Sequence, residues 1–192
     1  YQRGIIDEKT TDGLQLEWGD YETCAELLRK ITYREGFGDM LAEGSKRASE
    51  IIGEGSERCS IHIKGQELME QLWVDKGWAF GTVLSPRGGT HTRGAVLGAR
   101  FANVSPDDSK KYYGAEALGK PNQYEGKVKV VTFFEKLQAL ADSLGLCTFA
   151  TIIWAPAPNA IDQMDMAKLL RGCSGLDVEG EDLLTIGERI QN

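Results

Sequence analysis

The sequence predicts a mainly helical fold with few or no strands. Three observations carry that reading. An apolar face at helical spacing runs through Val130, Val131, Phe134, Leu137, Leu140, Ala141 and Leu144 and stops at Gly145, the usual left-handed position after a helix end. Shorter stripes of the same period recur over 20–31, 37–52, 161–173 and 183–190. Strand-like alternation is confined to Ile61-His62-Ile63-Lys64-Gly65.

Taken in order, residues 4–18 are polar and contain Asp12-Gly13, which reads as a turn-bearing connector. Asp20 caps a helix that runs to Ile31, with Tyr21, Cys24, Leu27, Leu28 and Ile31 on its apolar side. A second helix fits Phe37 to Ile52, turns Leu41, Ala48, Ile51 and Ile52 inward, and ends at Gly53. His62, flanked by isoleucines, reads as a structural histidine. Pro106-Asp107-Asp108 starts a short surface helix and Gly119-Lys120-Pro121 breaks it. The long helix begins near Glu125. After an apolar stretch over 149–154, Ala155-Pro156-Ala157-Pro158 forces a break. Asn159 or Asp162 then caps a helix with Ile161, Met164, Ala167, Leu169, Leu170 and Cys173 inward. Cys24 and Cys173 lie on these inward stripes and read as core cysteines.

The chain has 192 residues, 41% hydrophobic and 27% charged, which is ordinary globular composition without an apolar run long enough to span a membrane. The formal net charge of −7 argues against nucleic acid and anionic membranes as main partners. Cys24, Cys59, Cys147 and Cys173 show no Cys-x-x-Cys spacing, so they read as reduced thiols in a cytoplasmic protein and not as a zinc site. The chain opens on Tyr1 and closes inside a helical pattern, so it is expected to be an excerpt of a longer polypeptide.

Two stretches carry chemistry. In Asp142-Ser143-Leu144-Gly145-Leu146-Cys147, a thiol follows a glycine-broken helix end, where freed backbone can wrap a ligand. Cys147 taken alone also reads as a small buried residue. In Ser85-Pro86-Arg87-Gly88-Gly89-Thr90-His91-Thr92-Arg93-Gly94, glycines allow close backbone approach, two arginines supply fixed positive charge, and a histidine titrates near neutral pH. By spacing alone this is either an anion-binding loop or a structural turn, and it lacks the order of a phosphate-binding P-loop.

The Asp142 hexad resembles the second pterin-binding motif of the tungsten-containing aldehyde ferredoxin oxidoreductase family. The resemblance extends to Gly4-Ile5-Ile6 with Thr11-Asp12-Gly13-Leu14, to Tyr33-Arg34-Glu35-Gly36-Phe37-Gly38-Asp39, to Lys64-Gly65-Gln66-Glu67-Leu68, to His91-Thr92-Arg93 and to the closing segment 175–190. It implies a helical fragment of that family's C-terminal domains type. Residues 1–60 would be a scaffold from the middle helical domain and 61–192 a cofactor-facing part of the C-terminal helical domain, truncated at both ends.

The resemblance also implies site residues. Asp142 and Leu146 contact a pterin, Arg93 binds the pterin cofactor, His91 is the catalytic proton carrier, and Cys147 is one of four thiolate ligands to a [4Fe–4S] cluster. The implied cofactors are a tungsten bis-pterin and that cluster, both expected to be absent from the isolated fragment, which would be inactive. The implied activity is oxidation of an aldehyde to a carboxylate, with ferredoxin or another redox protein as electron partner and a homo-oligomer as one assembly. The sequence departs from the family over 69–77, where Met69-Glu70-Gln71-Leu72-Trp73-Val74-Asp75-Lys76-Gly77 replaces a phrase with a substrate-side tyrosine. No substrate role is carried onto that segment. Trp73 in that segment and Trp78 directly after it suit a differently shaped substrate cavity, so a tungsten-dependent reductase of aromatic acyl-CoA thioesters is the nearer alternative. A non-catalytic helical interaction module is the other.

Overall fold

A computed structural model describes residues 1–68, 72–96, 104–116, 121–154 and 159–191. The chain divides into two compact units, Tyr1–Leu68 and Met69–Asn192. The regular structure is helical apart from one two-stranded antiparallel hairpin among the described residues.

The first unit holds α1 (Tyr21–Tyr33), α2 (Phe37–Leu41), α3 (Ser45–Ile52) and the hairpin of β1 (His62–Ile63) and β2 (Gln66–Glu67). Asp20 caps α1 as its sequence position implies, accepting from the Glu22 and Thr23 amides at 3.0 and 3.3 Å. The Asp12 carboxylate accepts from the Phe37 amide at 2.7 Å and pairs with Lys30 at 2.9 Å, so the first turn is tied to the start of α2. The single helix expected over 37–52 is two helices. Gly44 breaks it at φ 85°, and the Glu67 carboxylate from β2 accepts from the Ser45 amide at 2.6 Å, which starts α3 afresh. A partner 22 residues away caused that break, and helical periodicity cannot register it.

The apolar side of α1 is not a core face, which corrects the reading of Cys24 as a core cysteine. α1 has no buried residue, Cys24 is exposed and Tyr21 is 81% exposed. That side forms one wall of a groove of about 1050 Å³ whose other apolar lining includes Ile5, Ile6, Leu16, Leu41 and Ile52. Ile51, expected inward on α3, is 60% exposed.

The second unit is built around α6 (Lys127–Ser143), with α4 (Lys76–Leu84), α5 (Pro106–Tyr113), α7 (Gln163–Ser174) and α8 (Gly180–Gln191). The expected apolar face of α6 is the core: Val130, Val131, Phe134, Leu137, Leu140 and Ala141 are buried, and Leu144 packs at its edge. Each fully buried valine, leucine and phenylalanine among them contributes on the order of 1.5–3 kcal/mol through burial. α6 packs against α4 and α8, and α7 packs against α8. A Cβ at Gly187 would stand 2.5 Å from the Lys136 carbonyl oxygen, so α8 crosses α6 at glycine-only range.

α5 starts at Pro106, as the sequence predicts, and Ser105 caps it. It is not purely a surface helix, because Tyr113 is 1% exposed and donates its hydroxyl to the Ile152 carbonyl at 2.8 Å. Of the two candidate caps for α7, Asp162 serves, accepting from the Asp165 amide at 2.9 Å. The inward face of α7 is Met166, Ala167 and Leu170; Met164 and Leu169 are 39% and 49% exposed and Cys173 is exposed. Cys173 is therefore not a core cysteine. The helix carries more apolar residues than one stripe needs, and contact with α8 selects the face.

The sequence gives α4 no helical signature, since Gly77 and Gly81 interrupt it. It forms because Asp75 caps it, accepting from the Gly77 and Trp78 amides at 2.7 and 3.1 Å. Trp78 is fully buried and Trp73 is 79% exposed. The breaks expected at Gly119-Lys120-Pro121 and at 155–158 involve positions outside the described residues.

Candidate functional site

The end of α6 and the loop after α4 build the site within the second unit. α6 closes with paired backbone bonds about Gly145. The Leu146 amide donates to Ala141 at 2.8 Å, the Gly145 amide donates to Asp142 at 3.2 Å, and Gly145 sits at φ 69°. This is the stop that the sequence predicts. It leaves Leu146 half-buried against the core and Cys147 exposed at the head of a 3₁₀ turn, Thr148–Ala150. Cys147 is thus not a buried structural thiol.

The loop reaches α6 because α4 is anchored to it. Lys127, in the first turn of α6, pairs with Asp75 at 2.6 Å, and the side chains are 4% and 1% exposed. The other anchor is Gly94 at φ 124°, where a Cβ would lie 2.2 Å from Glu135 Cγ. Only glycine lets the backbone lie this close to α6. Arg93 is thereby brought onto Asp142, and the two form an ion pair.

The second carboxylate oxygen of Asp142 accepts from Gln138 Nε2 at 2.9 Å, and the same amide nitrogen donates to Thr148 Oγ1 at 3.1 Å. Arg87, Arg93, Asp142 and Ser143 line one cleft of about 390 Å³. His91 lies on the same loop with its ring stacked on Trp78, centroids 5.2 Å apart and planes at 19°. Burial holds the Glu135 carboxyl above its ordinary pKa.

The structure therefore joins Arg93 directly to Asp142, sets Leu146 and Cys147 on the turn that follows, and seats His91 two residues before Arg93 on a buried indole. Sequence reading missed Gln138, Thr148, the Asp75–Lys127 pair and the stacking of His91 on Trp78. Gln138 did leave a signal, as a polar residue inside an apolar run and four positions before Asp142 on the same helix face. Among the described residues no three His, Cys, Asp or Glu side chains gather as a metal-ligand set. The donor set is one carboxylate with free acceptor capacity, one exposed thiol and two guanidinium groups. That fits a cofactor bringing its own metal ligands, and a cluster that takes one thiolate from this segment.

The fold is that of a solved chain titled "Active site complex BamBC of Benzoyl Coenzyme A reductase in complex with 1,5 Dienoyl-CoA". The TM-score is 0.70 over 99% of this chain and 32% of that one, and at 19% identity the likeness is one of fold. The family is shown by sequence: the profile described as "Aldehyde ferredoxin oxidoreductase, domains 2 & 3" matches residues 1–192. The chain belongs to the aldehyde ferredoxin oxidoreductase family.

Among its relatives, the tungsten-containing aldehyde ferredoxin oxidoreductase of Pyrococcus furiosus is 34% identical over 100% of this chain, and that of Thermococcus kodakarensis 33%. The chain spans 29% of the length of each. A second P. furiosus protein, an aliphatic sulfonate oxidoreductase WOR-like subunit, is 37% identical over 52% of this chain and 17% of its own length.

Proposed function

We propose that this chain is the cofactor-facing helical part of a tungsten-pterin oxidoreductase that oxidises aldehydes to carboxylates. Electrons would leave through a [4Fe–4S] cluster to ferredoxin or another redox protein. The observation that carries the reading is the Arg93–Asp142 pair one glycine turn away from the exposed Cys147, in a chain of this family. When bound, the tungsten bis-pterin supplies the two-electron chemistry and the cluster accepts the electrons.

The chain's own residues bind and orient. An ionised carboxylate has about four acceptor positions, and Arg93 and Gln138 occupy two at Asp142. The remaining positions accept from pterin N–H groups. Arg93 pairs with Asp142 and offers its remaining N–H donors to the cofactor. Leu146, half-buried at the turn, gives the pterin an apolar contact. Cys147 Sγ binds one iron as thiolate. His91 takes or gives a proton at the substrate through its imidazole, the side-chain type suited to proton exchange near neutral pH. Trp78 holds the plane of that ring. Residues 1–60 and 61–192 serve in this reading as parts of the family's middle and C-terminal helical domains, in a cytoplasmic enzyme.

Anaerobic expression of the full-length protein followed by elemental analysis tests this. About one tungsten and about four irons per chain support it; a folded protein without metal overturns it in favour of an interaction module. His91→Ala should sharply lower turnover with the metal content unchanged, and loss of tungsten in that variant would make the role of His91 structural. The likeness of fold to a benzoyl-CoA reductase complex supports a second reading, reduction of aromatic acyl thioesters. Turnover of aldehydes compared with aromatic acyl-CoA separates the two.

A further inference from the structure

Gln138 connects two groups that the functional reading assigns to different cofactors. The residue is 2% exposed, although it stands on a helix whose other buried residues facing the core are mostly apolar. Nε2 carries two hydrogens; one goes to Asp142 Oδ1 at 2.9 Å and the other to Thr148 Oγ1 at 3.1 Å. The Thr148 hydroxyl lies 3.3 Å from Gln138 Oε1 and can return a hydrogen bond. The amide orientation is fixed by chemistry, since a flipped amide would set its carbonyl oxygen against the carboxylate. Thr148 directly follows Cys147 and opens the 3₁₀ turn. One buried amide thus spans the glycine turn from the carboxylate to the residue beside the thiol.

We propose that Gln138 is a positioning residue that holds the Asp142 carboxylate and the Cys147 turn in one frame. The proposal rests on the assignment of Asp142 to the pterin and Cys147 to the cluster, and it fixes the separation between them. Neither leucine nor glutamate would serve. Leucine has no donor, and a glutamate would bring a second negative charge to hydrogen-bond range of Asp142. Both arms of the link pass through one side chain, so cutting either should release the same turn.

The test uses the full-length protein with Gln138→Leu, Thr148→Val, both together, and Thr148→Ser. Amide hydrogen exchange over 144–151 should quicken about tenfold in each of the first two, with the double variant no faster than either and Thr148→Ser at the wild-type rate. Unchanged exchange in Thr148→Val, or rates that multiply in the double variant, would overturn the link. Thr148 is less buried than Gln138, so its variant decides even where Gln138→Leu does not fold. Exchange needs no cofactor, so a full-length protein without tungsten and iron would overturn the functional reading while this measurement still decided the link. In the holoprotein both single variants should shift the cluster midpoint potential in the same direction. Quickened exchange with an unmoved potential would reduce Gln138 to a structural residue.

Discussion

The Arg93 guanidinium closes on the Asp142 carboxylate across 49 residues of chain, at the last turn of α6. The side chains are 33% and 37% exposed, and a pair so open to water contributes only about 0.2–1 kcal/mol. Its consequence is geometric: it orients a carboxylate at the rim of a cleft.

Arg93→Gln and Asp142→Asn should therefore each cost no more than about 1 kcal/mol in urea denaturation. In the full-length protein each should nevertheless lose most of its bound tungsten, read by elemental analysis. A large loss of stability with normal tungsten content would reverse the assignment.

The Asp75–Lys127 pair should behave in the opposite way. Both side chains are buried, and Lys127→Met would leave the Asp75 charge without its cation, at a cost of about 3–5 kcal/mol. Asp75 keeps its two backbone donors in α4, which favours the lower end of that range. Adding Asp75→Asn should recover part of the loss. Denaturant midpoints of the two singles and the double, with the coupling energy between them, check this.

Gly94→Ala should disrupt the site from outside it. The new Cβ would stand 2.2 Å from Glu135 Cγ and the backbone would be held at φ 124°, so a cost of about 1–3 kcal/mol is expected. As the loop lifts from α6, Arg93 loses Asp142. A double-mutant cycle on Arg93 and Asp142 in the Gly94→Ala background should then show no coupling.

Glu135 gives a pH signature. Its carboxyl is raised by burial, so the folded protein binds a proton more readily than the unfolded chain does. Stability referable to this group is full below the ordinary glutamate range and is lost as pH rises through the raised value. Glu135→Gln should accordingly be more stable than wild type at pH 7 and indistinguishable from it near pH 4, in urea melts at the two values. An equal difference at both pH values would mean that charge is not the cause.

Particular residues show what one dimension can carry. The core face of α6 and its stop at Gly145 were legible because a helix and its left-handed cap are set by residues within a few positions of one another. The Asp20 cap and the start of α5 at Pro106 were legible for the same reason. The helix over 76–84 was hidden by Gly77 and Gly81 although its Asp75 cap is local. The break of 37–52 at Gly44 and the outward turn of Cys24 and of Cys173 were not legible either. The break and the outward turns depend on a distant partner or on which neighbour takes an apolar face.

By itself the sequence determined the helical class, the family and the stretches that carry the candidate chemistry, because periodicity, caps and short motifs are local properties of the chain. Only the tertiary structure decided that Arg93 meets Asp142, that His91 lies on Trp78, and that Gln138 ties Asp142 to the turn of Cys147. Those contacts depend on the approach of the 85–94 loop to α6 and on the fold-back of the turn after Gly145. Close packing at Gly94, the buried Asp75–Lys127 pair and the hydrogen bonds of Gln138 set that geometry, and none of these is a property of sequence spacing.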